Sequence, residues 1–247
     1  LGALLLQIGS NFANDVFDFE KGADTTERIG PPRATQAGLL SPRAMRVGMA
    51  VVFGLAICVG AYLTAVAGPA IVVVGVVSIL AAIAYTGGPW PLGYHGLGDA
   101  AVFLFFGPVA VMGTTFVQTG SLPPLAALAS LPVGFLAAGI LVVNNLRDIE
   151  TDAKAGKRTL AVRLGSAGAR LEWAALVGGA YLVALLPGIL LGRSGWTVLP
   201  WLSVPMALRL WQVVRRVDSG PELNEALAGT AKLAFVFSLL FAVGLSV

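Results

Sequence analysis

The sequence has few charged residues and no strong excess of either sign. Only 12% of its 247 residues are charged, 57% are hydrophobic and the mean hydropathy is +0.84, whereas soluble domains carry roughly a quarter charged residues. This composition excludes an ordinary water-soluble globular protein and favours a membrane protein that contacts the lipid bilayer. The formal net charge of +3 is too small to indicate a nucleic-acid partner.

Cysteine and histidine are almost absent. Cys58 is the only cysteine and lies in an apolar run, which excludes a disulfide framework and a thiolate metal site. His95 is the only histidine, and the sequence has no Ser/His/Asp or Cys/His constellation for nucleophilic catalysis. Any chemistry must therefore come from other residue types.

Long apolar runs dominate the rest of the chain. We predict seven membrane-spanning helices from runs of about 20 apolar residues: Ala44–Ala67, Pro69–Thr86, Asp99–Val117, Leu122–Val143, Leu171–Leu191, Trp196–Val214 and Ala226–Val247. The shorter run Leu1–Phe17 is interpreted as the second half of a truncated helix. The prediction is an all-α, multi-pass transmembrane bundle that forms one domain over residues 1–247.

Charged residues are confined to alternate connections between these spans. If every span crosses once, four connections lie on one side of the membrane: Asp18–Arg43, Gly87–Gly98, Asn145–Arg170 and Arg215–Glu225. With their flanks they hold all 13 acidic residues and nearly all basic ones, while the other side has short connections and only Arg193. The positive-inside rule predicts that the charged connections face the cytoplasm.

The first charged connection opens with an acidic motif at the end of an apolar stretch. Asn14 and Asp18 are four residues apart and share one face of a helix. Gly22 can end this helix and let Asp24 turn back toward it. Asp15 lies about 100° around the helix from Asn14, so we predict a supporting role for it.

A second acidic motif with the same spacing follows the fourth span. Asn144, Asp148 and Asp152 form an i, i+4 stripe, with Asn145 beside it. Carboxylates clustered at a membrane boundary repel one another unless cations neutralise them. Oxygen ligands without His or Cys suit Mg²⁺, which takes one or two carboxylates and completes its shell with substrate phosphates. The motifs together predict a magnesium and diphosphate site, although solvated helix ends would explain either motif alone.

Basic residues follow both motifs. We predict that four of them bind the diphosphate and stabilise its charge as the C–O bond breaks: Arg28, Arg33, Lys157 and Arg158. Arg147 adjoins the second motif and has two interpretations, as support for the site or as a determinant of topology.

At this point the sequence resembles the UbiA-type intramembrane aromatic prenyltransferases over essentially its whole length. The resemblance rests on the pair of acidic motifs in an apolar bundle. It implies a nine-helix fold with a central cavity, of which the first helix and part of the second would be missing here. It also implies two metal-diphosphate clusters, formed by Asn14, Asp18 and Asp24 and by Asp148 and Asp152. Many members have a third Asp where this chain has Gly22, and Asp24 is expected to replace it.

Within this family the sequence is most similar to the branch that prenylates 1,4-dihydroxy-2-naphthoate in menaquinone biosynthesis. Three stretches carry this similarity, beginning at Lys21, Gly30 and Tyr85. The resemblance implies Mg²⁺-dependent transfer of a polyprenyl group from polyprenyl diphosphate, with loss of CO₂ and diphosphate, to give demethylmenaquinone in its reduced quinol form. Asp18, Asp148 and Asp152 would be catalytic with Tyr85, whose ring face would stabilise the allylic cation.

Several alternatives stay open at this level. The acceptor can be 4-hydroxybenzoate or homogentisate, although the connection Gly87–Gly98 contains no Lys or Arg, unlike the 4-hydroxybenzoate branch. A transporter would place its acids near the bilayer midplane, and a non-catalytic prenyl-lipid-binding protein would keep the fold without turnover. We interpret His95 as a loop residue, with help in deprotonating the acceptor as the alternative.

Overall fold

The computed structural model describes residues 1–24, 29–217 and 220–247. Within these ranges the chain forms helices and turns and no β-strand, which confirms the predicted all-α class. The helices in chain order are α1 (Gly2–Glu20), α2 (Pro42–Ala67), α3 (Ala70–Ala84), α4 (Gly98–Leu104), α5 (Ala110–Thr119), α6 (Pro124–Arg147), α7 (Ile149–Lys154), α8 (Leu160–Val183), α9 (Leu186–Leu191), α10 (Val204–Arg216) and α11 (Gly220–Ser246). A π-helical turn, Phe105–Val109, joins α4 to α5, and 3₁₀ turns cover Leu92–His95 and Gly195–Ser203.

Five helical stretches in the described part of the chain are long and apolar enough to cross a membrane. They are Pro42–Ala67, Gly98–Thr119, Pro124–Arg147, Leu160–Leu191 and Glu222–Ser246. Helix α3 is apolar but has only 15 residues. The protein is therefore an integral membrane protein, with fewer full-length spans than the seven that we predicted.

Two predicted spans differ from the structure. The predicted helix Trp196–Val214 is interrupted, because Pro200 and Pro205 lack the N–H donors of a regular helix; a 3₁₀ turn precedes α10 instead. The helical stretch that contains the predicted span from Leu171 begins at Leu160, where the hydroxyl of Thr159 accepts the Val162 N–H, and it is kinked at Gly165, whose φ is +71°. Charged residues between Leu160 and Leu171 interrupt the apolar run, so the span predicted from hydropathy begins only at Leu171.

The densest packing lies between α6, α8 and α11. Trp173 on α8 is buried against α11, where its indole N–H donates to the hydroxyl of Thr230 at 3.3 Å. Phe237 and Leu233 of α11 and Val143 of α6 are fully buried in the same core. Helices α2 and α3 instead expose many large apolar side chains, which suits contact with lipid.

Helices α4 to α6 approach closely because glycines meet at the π-helical turn. A Cβ atom on Gly107 would lie 2.7 Å from the Gly134 Cα and 2.8 Å from the Ser130 carbonyl oxygen. Pro108 follows within the turn, and π-helical turns of this kind often accompany functional sites. The π-helical turn places α4 and α5 against α6, and this contact lies at one wall of a cavity.

The charged connections meet at one end of the bundle. The backbone N–H of Arg158 donates to the Tyr94 carbonyl at 3.1 Å and joins the connection Asn145–Arg170 to the connection Gly87–Gly98. The Asn224 amide on α11 donates to the Ile29 carbonyl at 3.4 Å and joins the last connection to the first. This convergence agrees with the alternation deduced from the sequence, while its orientation toward the cytoplasm stays a prediction.

Candidate active site

A cavity of about 1720 Å³ runs through the bundle, with walls from α1 to α6 and from α11. Along α3 it extends from Ile71 to Thr86, nearly the whole length of that helix. Most of its surface is apolar. Its charged residues Asp18, Arg33 and Lys157 lie at the end where the charged connections meet, together with Asn14 and Asn144.

The first acidic motif occupies this polar end. Asn14 and Asp18 both line the cavity, as their shared helix face predicts, and Asp18 is 4% exposed. The Tyr94 hydroxyl donates to Asp18 Oδ1 at 2.7 Å, and the Thr86 hydroxyl donates to Asn14 Oδ1 at 3.0 Å. Both carboxylate and amide are therefore oriented by residues from the end of α3 and the connection after it.

Asp24 turns back toward the same helix end. Gly22 adopts φ +70°, a conformation that favours glycine, and the Ala23 N–H donates to the Asp18 carbonyl at 2.8 Å. Asp24 is buried, and its Oδ2 lies 3.6 Å from Arg33 Nε. The predicted turn is present, and a protein cation accompanies the carboxylate.

Asp15 has a different environment from the other acids of this motif. Its two carboxylate oxygens accept the N–H groups of Ala34 and Thr35 at 2.9 and 3.0 Å. The residue is buried and does not line the cavity. It fastens the connection after α1 to the helix, in keeping with a supporting role.

The second motif is organised around a buried arginine. Arg147 makes two hydrogen bonds to the Asp148 carboxylate, at 2.7 and 2.6 Å, and a third to Asn144 Oδ1 at 2.9 Å. Its remaining terminal nitrogen donates to Asn224 Oδ1 on α11 at 2.8 Å. Arg147 is only 5% exposed, so its guanidinium is buried among these partners and does not face water. Asn144, Asn145 and Asn224 line the cavity beside it.

Lys157 joins the two motifs. Its ammonium lies 3.8 Å from Asp18 Oδ2 and 3.7 Å from Asp152 Oδ1. Gly156 has φ +72° and turns the chain after α7, while the Lys157 N–H donates to the Asp152 carbonyl at 2.8 Å. The acids of two connections far apart in sequence thus share one cation at the cavity's polar end.

The other predicted basic residues divide into three cases. Arg33 lines the cavity. Arg158 is exposed and is not among the cavity-lining residues, so the structure does not bring it to the site with Lys157. Arg28 lies outside the described residues. Arg163 donates to the His95 carbonyl at 2.9 Å and ties two connections together.

Tyr85 lies at the wall of the cavity beside the start of α4. A Cβ atom on Gly98 would be only 2.8 Å from the Tyr85 hydroxyl oxygen, so this close approach requires glycine. His95, in contrast, stacks on Trp90 with ring centroids 4.5 Å apart, and its Nδ1 contacts the Pro91 carbonyl at 2.8 Å. It does not line the cavity, which agrees with its interpretation as a loop residue.

The sequence analysis missed four residues of this site, namely Lys21, Thr86, Tyr94 and Asn224. Tyr94 is 76 residues from its partner Asp18, and Asn224 is 77 residues from Arg147. No local spacing signals such pairs, since only the tertiary fold brings them together.

Burial and charge shift the pKa values of two of these residues. Burial, followed by the charge of Asp18, raises the pKa of the Tyr94 phenol, so it stays a protonated donor to that carboxylate. Partial burial lowers the pKa of the Lys21 ammonium; Asp18 opposes this shift and the like charge of Lys157 adds to it.

The acids do not form a preassembled metal cage. Among the described residues, no group of three or more His, Cys, Asp or Glu side chains is arranged to hold a metal ion. Asp24 and Asp148 have arginine partners, and Lys157 lies between Asp18 and Asp152. The donor set is nevertheless made of carboxylate and amide oxygens at the mouth of a large cavity, which is the ligand chemistry that Mg²⁺ prefers.

Comparison with known proteins identifies the family. The model of the UbiA prenyltransferase family matches residues 1–243. The chain belongs to the UbiA prenyltransferase family. It is therefore a membrane prenyltransferase, and the location of its acids at helix ends rather than mid-helix agrees with this.

Individual relatives of this UbiA family member are similar over almost its whole length. The chain is 39% identical to the 1,4-dihydroxy-2-naphthoate octaprenyltransferase of Haemophilus influenzae, covering 99% of this chain and 82% of the relative. It is 38% identical to the enzyme of the same name from Mycobacterium tuberculosis, covering 97% of this chain and 81% of the relative. For that of Bacillus subtilis the identity is 31%, covering 98% of this chain and 78% of the relative.

The fold is also similar to a solved UbiA-type structure. That structure comes from work on digeranylgeranylglyceryl phosphate synthase in membranes, with a TM-score of 0.62 and 18% sequence identity. The match covers 98% of this chain and 82% of the other. It supports the helical architecture, while substrate assignments rest on the site itself.

Proposed function

We propose that this protein transfers a polyprenyl group from polyprenyl diphosphate to 1,4-dihydroxy-2-naphthoate in menaquinone biosynthesis. The observation that carries the proposal is the contact of Lys157 with both Asp18 and Asp152 at the polar end of a long apolar cavity. This arrangement offers charged groups to a diphosphate and apolar walls to its hydrocarbon tail. The names of the similar octaprenyltransferases support the naphthoate acceptor.

The cofactor of this reaction is proposed to be Mg²⁺. Asn14, Asp18 and Asp24 would hold it on the first motif, and Asp148 and Asp152 on the second. When bound, the metal withdraws negative charge from the diphosphate as it leaves. Lys157 and Arg33 line the same end of the cavity and would neutralise the remaining charge of the leaving group.

The reaction needs no protein nucleophile. The C–O bond of the donor breaks with its electron pair going to the diphosphate, and the allylic carbon bonds to the ring carbon that carries the carboxylate. The ring–carboxylate bond then breaks, its electrons restore the aromatic ring, and CO₂ leaves. Tyr85 would present its ring to the allylic cation, and the apolar residues of the cavity wall would reduce the contact of that cation with water.

The test is a transfer assay with the protein in membranes, using a labelled polyprenyl diphosphate with 1,4-dihydroxy-2-naphthoate or 4-hydroxybenzoate. We expect prenylated, decarboxylated product from the naphthoate, no product after chelation with EDTA, and recovery on adding Mg²⁺. Asp18→Asn should lower turnover by about 100-fold or more, because an amide no longer neutralises a cation. Transfer to 4-hydroxybenzoate alone would refute the acceptor, and metal-independent transfer would refute the cofactor.

A further inference from the structure

Two positively charged side chains lie on the outer surface of the last two helices. Arg209 of α10 and Lys232 of α11 are both exposed, and neither lines the cavity. Lys232 lies within Glu222–Ser246, a stretch long and apolar enough to cross a membrane. A charged side chain in such a stretch is costly in lipid and usually has a function. Within the described ranges neither cation forms a hydrogen bond or an ion pair, so the protein itself does not neutralise them.

Two glycines of α11 show which segment lies beside this helix. A Cβ atom on Gly229 would clash with the Leu210 side chain of α10, and a Cβ atom on Gly244 would clash with the Trp196 carbonyl oxygen. A later position on α11 thus meets an earlier position on the segment 195–216, which means that the two run antiparallel. The close approach at both points shows that they pack against each other along most of α11.

This register places the two cations at nearly the same depth. Arg209 is one residue from Leu210, and Lys232 is three residues from Gly229, in the same direction along the two helix axes. At 1.5 Å per residue, their Cα atoms differ by about 3 Å along these axes. Gly229 and Lys232 are three positions apart and therefore neighbours on the surface of α11. The two cations flank one groove between the helices, which we call the α10–α11 groove.

The α10–α11 groove has a cationic part and an apolar part. Helix α10 has no acidic residue, and on α11 the acid closest in sequence to Lys232 is Glu225, which is seven residues or about 10 Å away along the helix. Beyond Lys232, on the side away from the acidic motifs, Phe235 and Leu239 are exposed apolar side chains. A molecule with a negatively charged head and an apolar tail matches this order of residues.

We propose that the α10–α11 groove binds an anionic phospholipid, whose phosphate contacts Arg209 and Lys232 and whose acyl chains cover Phe235 and Leu239. Long basic side chains extend along apolar surface and keep their charge near the lipid headgroups, where an anionic lipid offers charge-assisted hydrogen bonds. A lipid bound there holds α11 against α10, and α11 carries Asn224 of the candidate site. The positive-inside rule also accounts for basic residues near this end of the bundle, but it requires no lipid with a particular headgroup.

The test titrates the detergent-purified full chain with dioleoyl-phosphatidylglycerol or dioleoyl-phosphatidylcholine and measures lipid binding by native mass spectrometry. Both lipids carry a phosphate, but the choline group cancels its charge in the second. The variants are Arg209→Gln, Lys232→Gln and the double variant, with Lys232→Arg keeping the charge. Arg43→Gln is the matched control, because Arg43 is an exposed arginine at the start of α2, away from the groove. The unfolding midpoint without added lipid verifies that each variant is folded.

For the wild-type protein we expect phosphatidylglycerol to bind roughly 25-fold more tightly than phosphatidylcholine, since each cation near an anionic headgroup contributes about fivefold. Each single Gln variant should lose about fivefold of this preference, and the double variant should bind both lipids alike. Lys232→Arg and Arg43→Gln should keep the wild-type preference. Phosphatidylglycerol should also raise the unfolding midpoint of the wild-type protein and not that of the double variant.

Two results would overturn the inference. The first is a double variant that still prefers phosphatidylglycerol as strongly as the wild-type protein does. The second is an Arg43→Gln control that loses as much of the preference as Lys232→Gln, because the attraction would then depend on overall charge and not on the groove. Both results come from lipid binding alone, so they are independent of the proposed transfer reaction.

Discussion

At the scale of single residues, Arg147 connects the most parts of the site. It binds the Asp148 carboxylate with two nitrogens and reaches Asn144 and Asn224 with the same guanidinium. A Cβ on Gly30 would lie 2.9 Å from its terminal nitrogen, so the first charged connection closes over it. A buried arginine with this many partners fixes the orientation of the second motif.

Replacing Arg147 should therefore destabilise the protein as well as impair turnover. Arg147→Met leaves the Asp148 carboxylate without its partner, at an expected cost of roughly 3–5 kcal/mol. The midpoint of thermal unfolding in detergent measures this effect. The double variant with Asp148→Asn should recover part of the stability but not the activity. Equal destabilisation in the single and double variants would show that the pair does not interact as described.

Sequence reasoning predicted the first stripe of this site but not its cross-links. The predicted second stripe is broken, because Asp148 lies between α6 and α7, and neither Asp148 nor Asp152 is among the cavity-lining residues. Asn14 and Asp18 line the cavity together because a helix repeats every 3.6 residues, a rule that needs no tertiary information. The contact between Asp18 and Tyr94 spans 76 residues, and periodicity contains nothing about such distances. The ends of helices were predicted less well, because the prediction relied on apolar runs. An amphipathic first turn that is capped by a side chain, such as the turn after Thr159, contains polar residues and is not part of such a run.

At the scale of elements, α4, α5 and α6 pack closely because glycines, which have no side chain, lie where these helices meet. Gly107 contacts the backbone of α6 at Gly134 and Ser130, and a Cβ on Gly134 would lie 2.7 Å from the Phe103 carbonyl oxygen. Small residues allow such close approach between helices in lipid. Hydropathy predicted the span Asp99–Val117 well. It could not predict the π-helical turn within this span, because the residues of the turn are as apolar as the helix around them.

A methyl group at this crossing should push the helices apart. In Gly107→Ala the new Cβ meets backbone atoms, which cannot rotate away, so we expect a cost of about 1–3 kcal/mol and a lower unfolding midpoint. Gly54→Ala on α2 is the matched control, because nothing lies within 4 Å of its Cβ position. If both alanine variants unfold at the wild-type temperature, the crossing is looser than the structure indicates.

At the scale of the whole molecule, charge separates the two ends of the bundle. The end that holds the acidic motifs also holds the long connections, while the turn between α5 and α6 at the other end has an exposed Ser121 and no charged residue. Exposed apolar side chains on α2 and α3 lie between the two ends. From this distribution the positive-inside rule predicts that the acidic motifs face the cytoplasm.

Cysteine labelling in intact cells tests this orientation. Cys58, the only native cysteine, is exposed on α2, so it is first replaced by serine. In that background, Ser121→Cys should react with a membrane-impermeant maleimide added outside, whereas Lys154→Cys should react only after the membrane is opened. The reverse pattern would place the acidic motifs on the outer side.

The bond between Arg147 and Asn224 has a consequence for how the protein is made. Synthesis proceeds from the N-terminus, and Asn224 lies on α11, which is made after both acidic motifs. Until α11 joins the bundle, the guanidinium lacks one of its partners and the second motif has no support from that side. The polar end of the cavity is thus completed only when α11 inserts, so a chain that stops before α11 would carry both motifs and still be without a finished site.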